Sequence, residues 1–142
     1  MPSRRILLLT GIFLISLLAC IPIGMHYIRS AQHQEMMDNV NDLRIMELAY
    51  KEAFGAYISA PLAPRPLETL DKKRIPLGPA EGFSALHWKP HEKGLRASYE
   101  IVADDSGFLI RATCDLDEDG EVAIFEATHT DLATVVTAKG IY

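Results

Sequence analysis

The sequence has only two cysteines among its 142 residues, Cys20 and Cys114. Cys20 stands in an apolar N-terminal run and Cys114 in a distal strand-like segment, so we expect their Cα atoms to lie farther apart than the roughly 4.4 to 6.8 Å of a disulfide. This excludes a disulfide-stapled scaffold. Because nothing marks Cys114 as a reactive thiol, we expect it to be a small buried hydrophobic residue.

Motifs that would mark catalysis are also scarce. The sequence has no GxSxG nucleophile elbow and no glycine-rich phosphate loop, which are signatures of hydrolases and nucleotide-binding enzymes. Its single tryptophan, Trp88, has apolar neighbours, so we expect it to cover the core rather than stack on a ligand. His87 and His91 are closely spaced but lack a clear third zinc ligand. We therefore predict that the protein is not an enzyme.

Charge is missing from the run ILLLTGIFLISLLACIPIGM, residues 6–25. A helix of this length spans about 30 Å, the thickness of the hydrocarbon core of a bilayer. We therefore predict that residues 1–25 form a cytoplasmic stub and a transmembrane segment. Arg4 and Arg5 precede the run, whereas the next positive charge is Arg29. The positive-inside rule then places the N-terminus in the cytoplasm and exports the rest of the chain.

Two alternatives for this N-terminus stay open. A cleaved signal peptide would have an apolar region of roughly 7 to 15 residues followed by a small-residue cleavage site, and this run is longer and has no such site. The residues 17–20, LLAC, resemble a lipobox, which would make Cys20 a lipidated N-terminus. The apolar run continues after Cys20, where lipoproteins usually become small and polar.

Basic residues are too few for a nucleic-acid-binding protein. All 19 acidic residues and all but two of the 14 Lys and Arg follow the apolar run. The exported part is therefore acidic, and an acidic surface repels the phosphate backbone. We predict that the partners do not include nucleic acid.

The next segment is predicted to be the soluble half of one long helix, residues 26–58. It contains no proline, and no glycine before Gly55. An apolar stripe follows a period of 3.6 residues, with Glu47 inside it, while Ile45 and Leu48 project from the opposite side. A second apolar face suggests contact with neighbouring subunits. The stripe consists of Met36, Val40, Leu43, Tyr50 and Phe54.

The rest of the chain is predicted to be an irregular connection, residues 59–96, and a sheet, residues 97–142. Six prolines between residues 59 and 93 prevent long regular elements in the connection. Beyond it the apolar residues alternate with a period of two, which is typical of antiparallel strands, and Phe108, Ile110, Ala112 and Cys114 share the face that we expect to be buried. The predicted strands are 97–103, 107–115, 121–129 and 133–137.

This arrangement resembles the type IV pilins and the pseudopilins of type II secretion. Pilins have a proline at the end of the apolar run, a tyrosine a few residues later and a polar helix in one register. They also carry an aromatic LxWxP segment, here Leu86 to Pro90, a YxV strand, here about 99–102, and a hairpin like 115–120. The matching helix residues, without a gap, are Pro22, Tyr27, Glu35, Asn39, Glu47 and Tyr50.

The resemblance implies an α+β, pilin-like fold, in which a long N-terminal helix, half transmembrane and half soluble, packs on a C-terminal antiparallel β-meander. It also implies a bacterial inner-membrane protein that crosses the membrane once, with its C-terminal domain in the periplasm or on an assembled filament. The start departs from the family. Counting back from Pro22 puts Arg5 where pilins have their fifth-residue glutamate, and reading Gly11 as the end of a leader puts Ser16 there. This departure favours a minor, tip or anchoring subunit.

One local motif points to a metal. Asp115, Asp117, Asp119, Gly120 and Glu126 fit the calcium-loop pattern D-x-D-x-D-G-x5-E. The flanking residues alternate as strands, which argues against an EF-hand. Asp119-Gly120 is also a strong hairpin-turn signal, so a plain turn and a non-EF calcium loop both remain open.

Two functions of different class follow from these patterns. The first is a structural or assembly subunit of a type IV pilus or a type II secretion-like machine, with other pilin-like subunits and the lipid bilayer as partners and with no cofactor. The second is a membrane-tethered or lipidated periplasmic binding domain whose acidic loop binds calcium.

Overall fold

The computed structural model describes residues 4–64, 74–116, 119–138 and 141, and within the helix it describes Gly24 and the side chains from residue 27 onward. The chain divides into two compact units, Met1–Gln32 and His33–Tyr142. The described residues form one helix and five strands: α1 Arg4–Phe54, β1 Ala60–Ala63, β2 Ser98–Ala103, β3 Phe108–Cys114, β4 Ala123–Thr128 and β5 Thr134–Val135.

The five strands form one antiparallel sheet in the order β1-β2-β3-β4-β5. Side chains alternate across a strand, and β3 alternates strictly between buried and half-buried positions. The prediction that Phe108, Ile110, Ala112 and Cys114 face inward is confirmed, because all four are buried. All four predicted strand segments contain a strand.

The proline-rich connection contributes the first strand, β1, which the sequence did not indicate. Pro61 lies within β1, and Pro64 follows it. Proline lacks the N–H that an inner strand needs, and β1 accordingly lies at the edge of the sheet. Later in the connection, Gly82 has a φ of +82° and approaches β1 so closely that a Cβ atom would lie 2.5 Å from the carbonyl oxygen of Ser59. Only glycine fits this contact.

The core of the second unit joins the helix to the inner face of the sheet. The helix contributes Met36, Val40 and Leu43, which are fully buried. The connection contributes Trp88, which is 4% exposed and whose ring centroid lies 5.3 Å from that of Tyr99. The expectation that Trp88 covers the core is confirmed.

The predicted fold class, with its half-transmembrane N-terminal helix, is wrong. Where its side chains are described, the helix carries charges in nearly every turn, including Arg29, Asp38 and Lys51. The structure shows this one helix and a five-stranded antiparallel sheet, and the helix residues in the core belong to the second unit.

The predicted location, a single pass through the bacterial inner membrane, is also contradicted. Within the described part of the chain, no helix combines the length and the apolar character needed to cross a membrane. Of the predicted span, residues 6–25, the side chains other than Gly24 lie outside the described residues.

The predicted apolar stripe is correct in its first half only. Phe54 is 72% exposed and Tyr50 is half-buried, although both share the helical spacing of the buried residues. The helix ends at Phe54, and Gly55, with a φ of +79°, turns the chain back toward Glu47. The last helical turn therefore extends past the core. Of the two residues on the opposite side, Ile45 is exposed, but Leu48 packs partly against the core.

Candidate functional site

The predicted calcium loop is a hairpin turn in the part that the structure describes. Oδ2 of Asp115 accepts a hydrogen bond from the Gly120 amide at 3.1 Å, and Oδ1 of Asp119 accepts one from the Glu121 amide at 2.8 Å. Both carboxylates therefore bind the turn itself. Asp117 lies outside the described residues.

Glu126, the predicted last calcium ligand, binds a cation of its own sheet. It lies opposite Arg111 in the register of β3 and β4. Its Oε1 accepts a hydrogen bond from Nε of Arg111 at 2.8 Å and lies 2.7 Å from Nη2 of the same side chain. Glu100 lies 3.3 Å from this guanidinium. Among the described residues, no group of three or more His, Cys, Asp or Glu side chains could hold a metal ion.

The two histidines of the connection, His87 and His91, have different surroundings. Nε2 of His91 lies 2.6 Å from Oδ2 of Asp42 on the helix. His87 is exposed and has a φ of +55°, a left-handed conformation that non-glycine residues rarely adopt. His91 thus joins the connection to the helix, and His87 lies in a turn.

A cavity of about 430 Å³ lies between the β2–β3 and β4–β5 turns. Its acidic lining residues are Asp104 and Asp131. The hydroxyl and amide of Ser106 lower the pKa of Asp104, and the hydroxyls of Thr130 and Thr128 lower that of Asp131. Both carboxylates are thus ionised at neutral pH and bound to their own turns.

Sequence reasoning missed this cavity. The available signals were the segments DDSG, residues 104–107, and THTD, residues 128–131, because Asp, Ser and Thr side chains fold turns onto themselves. Arg44 of the helix holds the second turn in place by donating to the main-chain oxygens of Thr128 and His129 at 2.8 and 3.0 Å.

The outward side of the helix forms a second candidate, which we call the outer helix face: Asp38, Ile45, Ala49 and Glu52. All four are exposed and recur at helical spacing. Ile45 is 61% exposed and is the large apolar residue of this face. The surface is therefore a small apolar patch with a carboxylate at each end.

Two of the residues that carry the pilin resemblance, Glu35 and Asn39, hold the helix to the rest of the second unit. Glu35 makes a bidentate pair with Arg74, at 2.6 and 2.8 Å. Nδ2 of Asn39 donates to the hydroxyl of Tyr99 at 3.0 Å. Tyr50 is half-buried, and its ring contacts that of Phe54 at 4.5 Å between centroids.

Glu47 is the remaining residue of this register in the second unit, and it is buried completely. Its Oε2 accepts a hydrogen bond from the Ile58 amide at 3.2 Å, and its Oε1 has no hydrogen-bond partner among the described residues. Burial raises the pKa of Glu47 from 4.5 to about 7, although the Ile58 amide acts in the opposite direction.

No protein-family model matches the chain, and neither a curated protein nor a solved structure matches it.

Proposed function

We propose that this protein is a pilin-like structural subunit that assembles with helical partners through its outer helix face and has no catalytic turnover of its own. The observation that carries the proposal is Ile45, a β-branched apolar side chain left 61% exposed on a helix whose other side is already used in the core. Burial of such a side chain is worth about 1.5 to 3 kcal/mol. A partner helix packed on this face would gain that free energy.

The helix register supports the same proposal. Glu35 and Asn39 bind residues of the connection and the sheet, so the segment that resembles pilins is anchored to its domain on one side. The anchoring leaves the opposite side free for lateral packing. Ala49, one turn beyond Ile45, is small enough to let a partner helix approach closely.

The charge of the outer helix face defines the chemistry of the partner. Asp38 and Glu52 lie on either side of Ile45 and Ala49. The same face of a second copy would bring like charges together, which is unfavourable. The partner is therefore a different surface, an apolar helix face with Lys or Arg at its margins.

Site-specific photocrosslinking tests the proposal. A photoreactive amino acid at position 45 of the full-length chain should give an adduct with a pilin-like subunit in the source cells. The matched control is position 102, because Val102 is 62% exposed on the sheet. Positions 41 and 48 suit this experiment less, since Asn41 binds the Ala133 amide and Leu48 is partly buried.

Mass spectrometry of the adducts gives the decisive result. A pilin-like partner that is crosslinked from position 45 and not from position 102, through a segment containing Lys or Arg, supports the proposal. Equal adducts from both positions, or no pilin-like adduct from position 45, would overturn it.

A further inference from the structure

The junction between the helix and the first strand contains a buried acid with an incomplete set of partners. Glu47 lies on the core side of the helix, one turn after the buried Leu43. The chain leaves the helix at Gly55 and returns alongside it, so that the Ile58 amide reaches Oε2 of Glu47. The other carboxylate oxygen is buried and unpaired within the described residues.

Among the described residues, no cation pairs with the carboxylate of Glu47. On the helix, Arg44 is engaged by main-chain oxygens of Thr128 and His129, and the ammonium of Lys51 lies 4.9 Å from the ring centre of Tyr57. Tyr50 is the remaining titratable side chain within one turn.

Within the described part of the chain, the other elements packed here supply no ion-pair partner for Glu47, and His129, after β4, contacts the Phe108 ring at 6.3 Å between centroids. Tyr57 belongs to the returning segment, and the titratable side chains on the described core face of the sheet are Tyr99 and Cys114, both buried. Burial raises the pKa of Tyr99, whose hydroxyl is bound by Asn39. Glu47 itself makes no ion pair among the described residues.

We propose that Glu47 is a proton-operated latch: in its protonated form it holds the return segment, residues 55–59, against the helix, and loss of the proton releases that segment. A neutral carboxyl tolerates burial with one hydrogen bond, whereas an ionised one needs water or several donors. Moving residues 55–59 away would take the Ile58 amide from Oε2 of Glu47 and open this side of the carboxyl to water. The latch rests on this geometry alone and is independent of the proposed assembly function.

The return segment, residues 55–59, has a defined residue at each end. Gly55, with its positive φ, begins it, and no heavy atom would lie within 4 Å of an added Cβ there. Ser59 closes it, because its hydroxyl accepts a hydrogen bond from the Ala103 amide at 3.0 Å and donates one to the Ala103 oxygen at 3.2 Å. Between these ends, Tyr57 covers Phe108 with ring centroids 5.1 Å apart. Release would therefore expose the Phe108 ring.

The direction of the pH dependence follows from linkage. The closed form holds a proton up to about pH 7, whereas an open, solvated Glu47 would lose it near the ordinary value of 4.5. Stabilisation of the closed form is complete below pH 4.5, declines as the pH rises through this interval, and stays at its minimum above pH 7.

Hydrogen exchange of the full-length chain tests the latch. After correction for the intrinsic exchange rate, protection of the Ile58 amide should fall by about tenfold per pH unit between pH 4.5 and 7. The variant Glu47→Gln keeps an acceptor for Ile58 but cannot titrate, so its protection should not change with pH. Glu52→Gln removes an exposed carboxylate of the same helix and should behave like the wild type.

Two results would overturn the latch: wild-type protection that does not depend on pH, or the same dependence in Glu47→Gln. If Glu47→Gln does not fold, the carboxyl carbon of Glu47 in the wild type can be titrated by NMR. A midpoint near 7 supports the latch, and a midpoint near 4.5 rejects it.

Discussion

Glu35 and Glu47 lie on one helix, both largely withdrawn from solvent, and their surroundings differ in one respect. Both oxygens of Glu35 face the guanidinium of Arg74, at 2.6 and 2.8 Å. Glu47 has a single main-chain N–H at 3.2 Å. The hydrogen bond to Glu35 raises the pKa of Arg74, whereas burial raises the pKa of Glu47 to about 7. The partner group determines whether a carboxylate that is shielded from solvent forms an ion pair or has a raised pKa.

The largest expected effect concerns Glu47, which has no ion-pair partner among the described residues. A pKa raised from 4.5 to about 7 corresponds to about 3 kcal/mol of free energy. Relative to Glu47→Gln, the wild type should therefore lose about 3 kcal/mol of unfolding free energy between pH 4.5 and 8. Urea denaturation at a series of pH values measures the difference. If the difference in unfolding free energy between the wild type and Glu47→Gln stays constant across this range, ionisation of Glu47 does not destabilise the fold.

Removal of the Arg74 guanidinium, the partner of Glu35, should lower the stability of the fold. Arg74→Met leaves Glu35 without its bidentate partner, and we expect the unfolding free energy at pH 7 to fall by about 1 to 3 kcal/mol. Arg74→Lys keeps the charge but not the forked geometry, so its loss should be smaller. Equal losses in the two variants would mean that the geometry of the pair contributes nothing.

A charged residue introduced on the outer helix face should hardly change the unfolding free energy of the monomer. Ile45→Glu replaces an exposed side chain, and we expect the unfolding free energy to change by less than about 0.5 kcal/mol. The same variant should abolish the adduct of a photoreactive residue at position 49. If the adduct persists in Ile45→Glu, Ile45 does not contribute to assembly.

The smallest effect is expected at the acidic hairpin. Asp115 and Asp119 bind turn amides and Glu126 binds Arg111, so millimolar calcium should leave the thermal midpoint unchanged relative to chelator. A rise in the midpoint with calcium, abolished by Asp119→Asn, would instead establish the calcium loop.

Local periodicity predicted four of the five described strands and the buried face of β3. The alternation around Phe108 to Cys114 depends only on the geometry of an extended chain, in which successive side chains point to opposite faces. The same reasoning located the buried positions Met36, Val40 and Leu43 on the helix. It failed at Phe54, because periodicity assigns a face and does not tell where the packing partner ends.

Composition misjudged the beginning of the chain, and the calcium motif stays a prediction. An uncharged run of sufficient length predicts a membrane span, but no helix in the described part meets that requirement. The calcium pattern counts carboxylates along the chain, whereas the pairing of β3 with β4 places Arg111 directly opposite Glu126. Spacing cannot foresee a partner supplied by another strand.

By itself, the sequence determined the segments of β2 to β5 and the inward face of β3, since these depend on neighbouring residues and on residue type. Only the tertiary structure decided which carboxylate met a cation. Glu35 pairs with Arg74 of the connection, whereas the one hydrogen bond that Glu47 accepts within the described residues comes from the Ile58 amide. The physical reason is that the free energy of a buried charge depends on groups that the fold brings from distant parts of the chain.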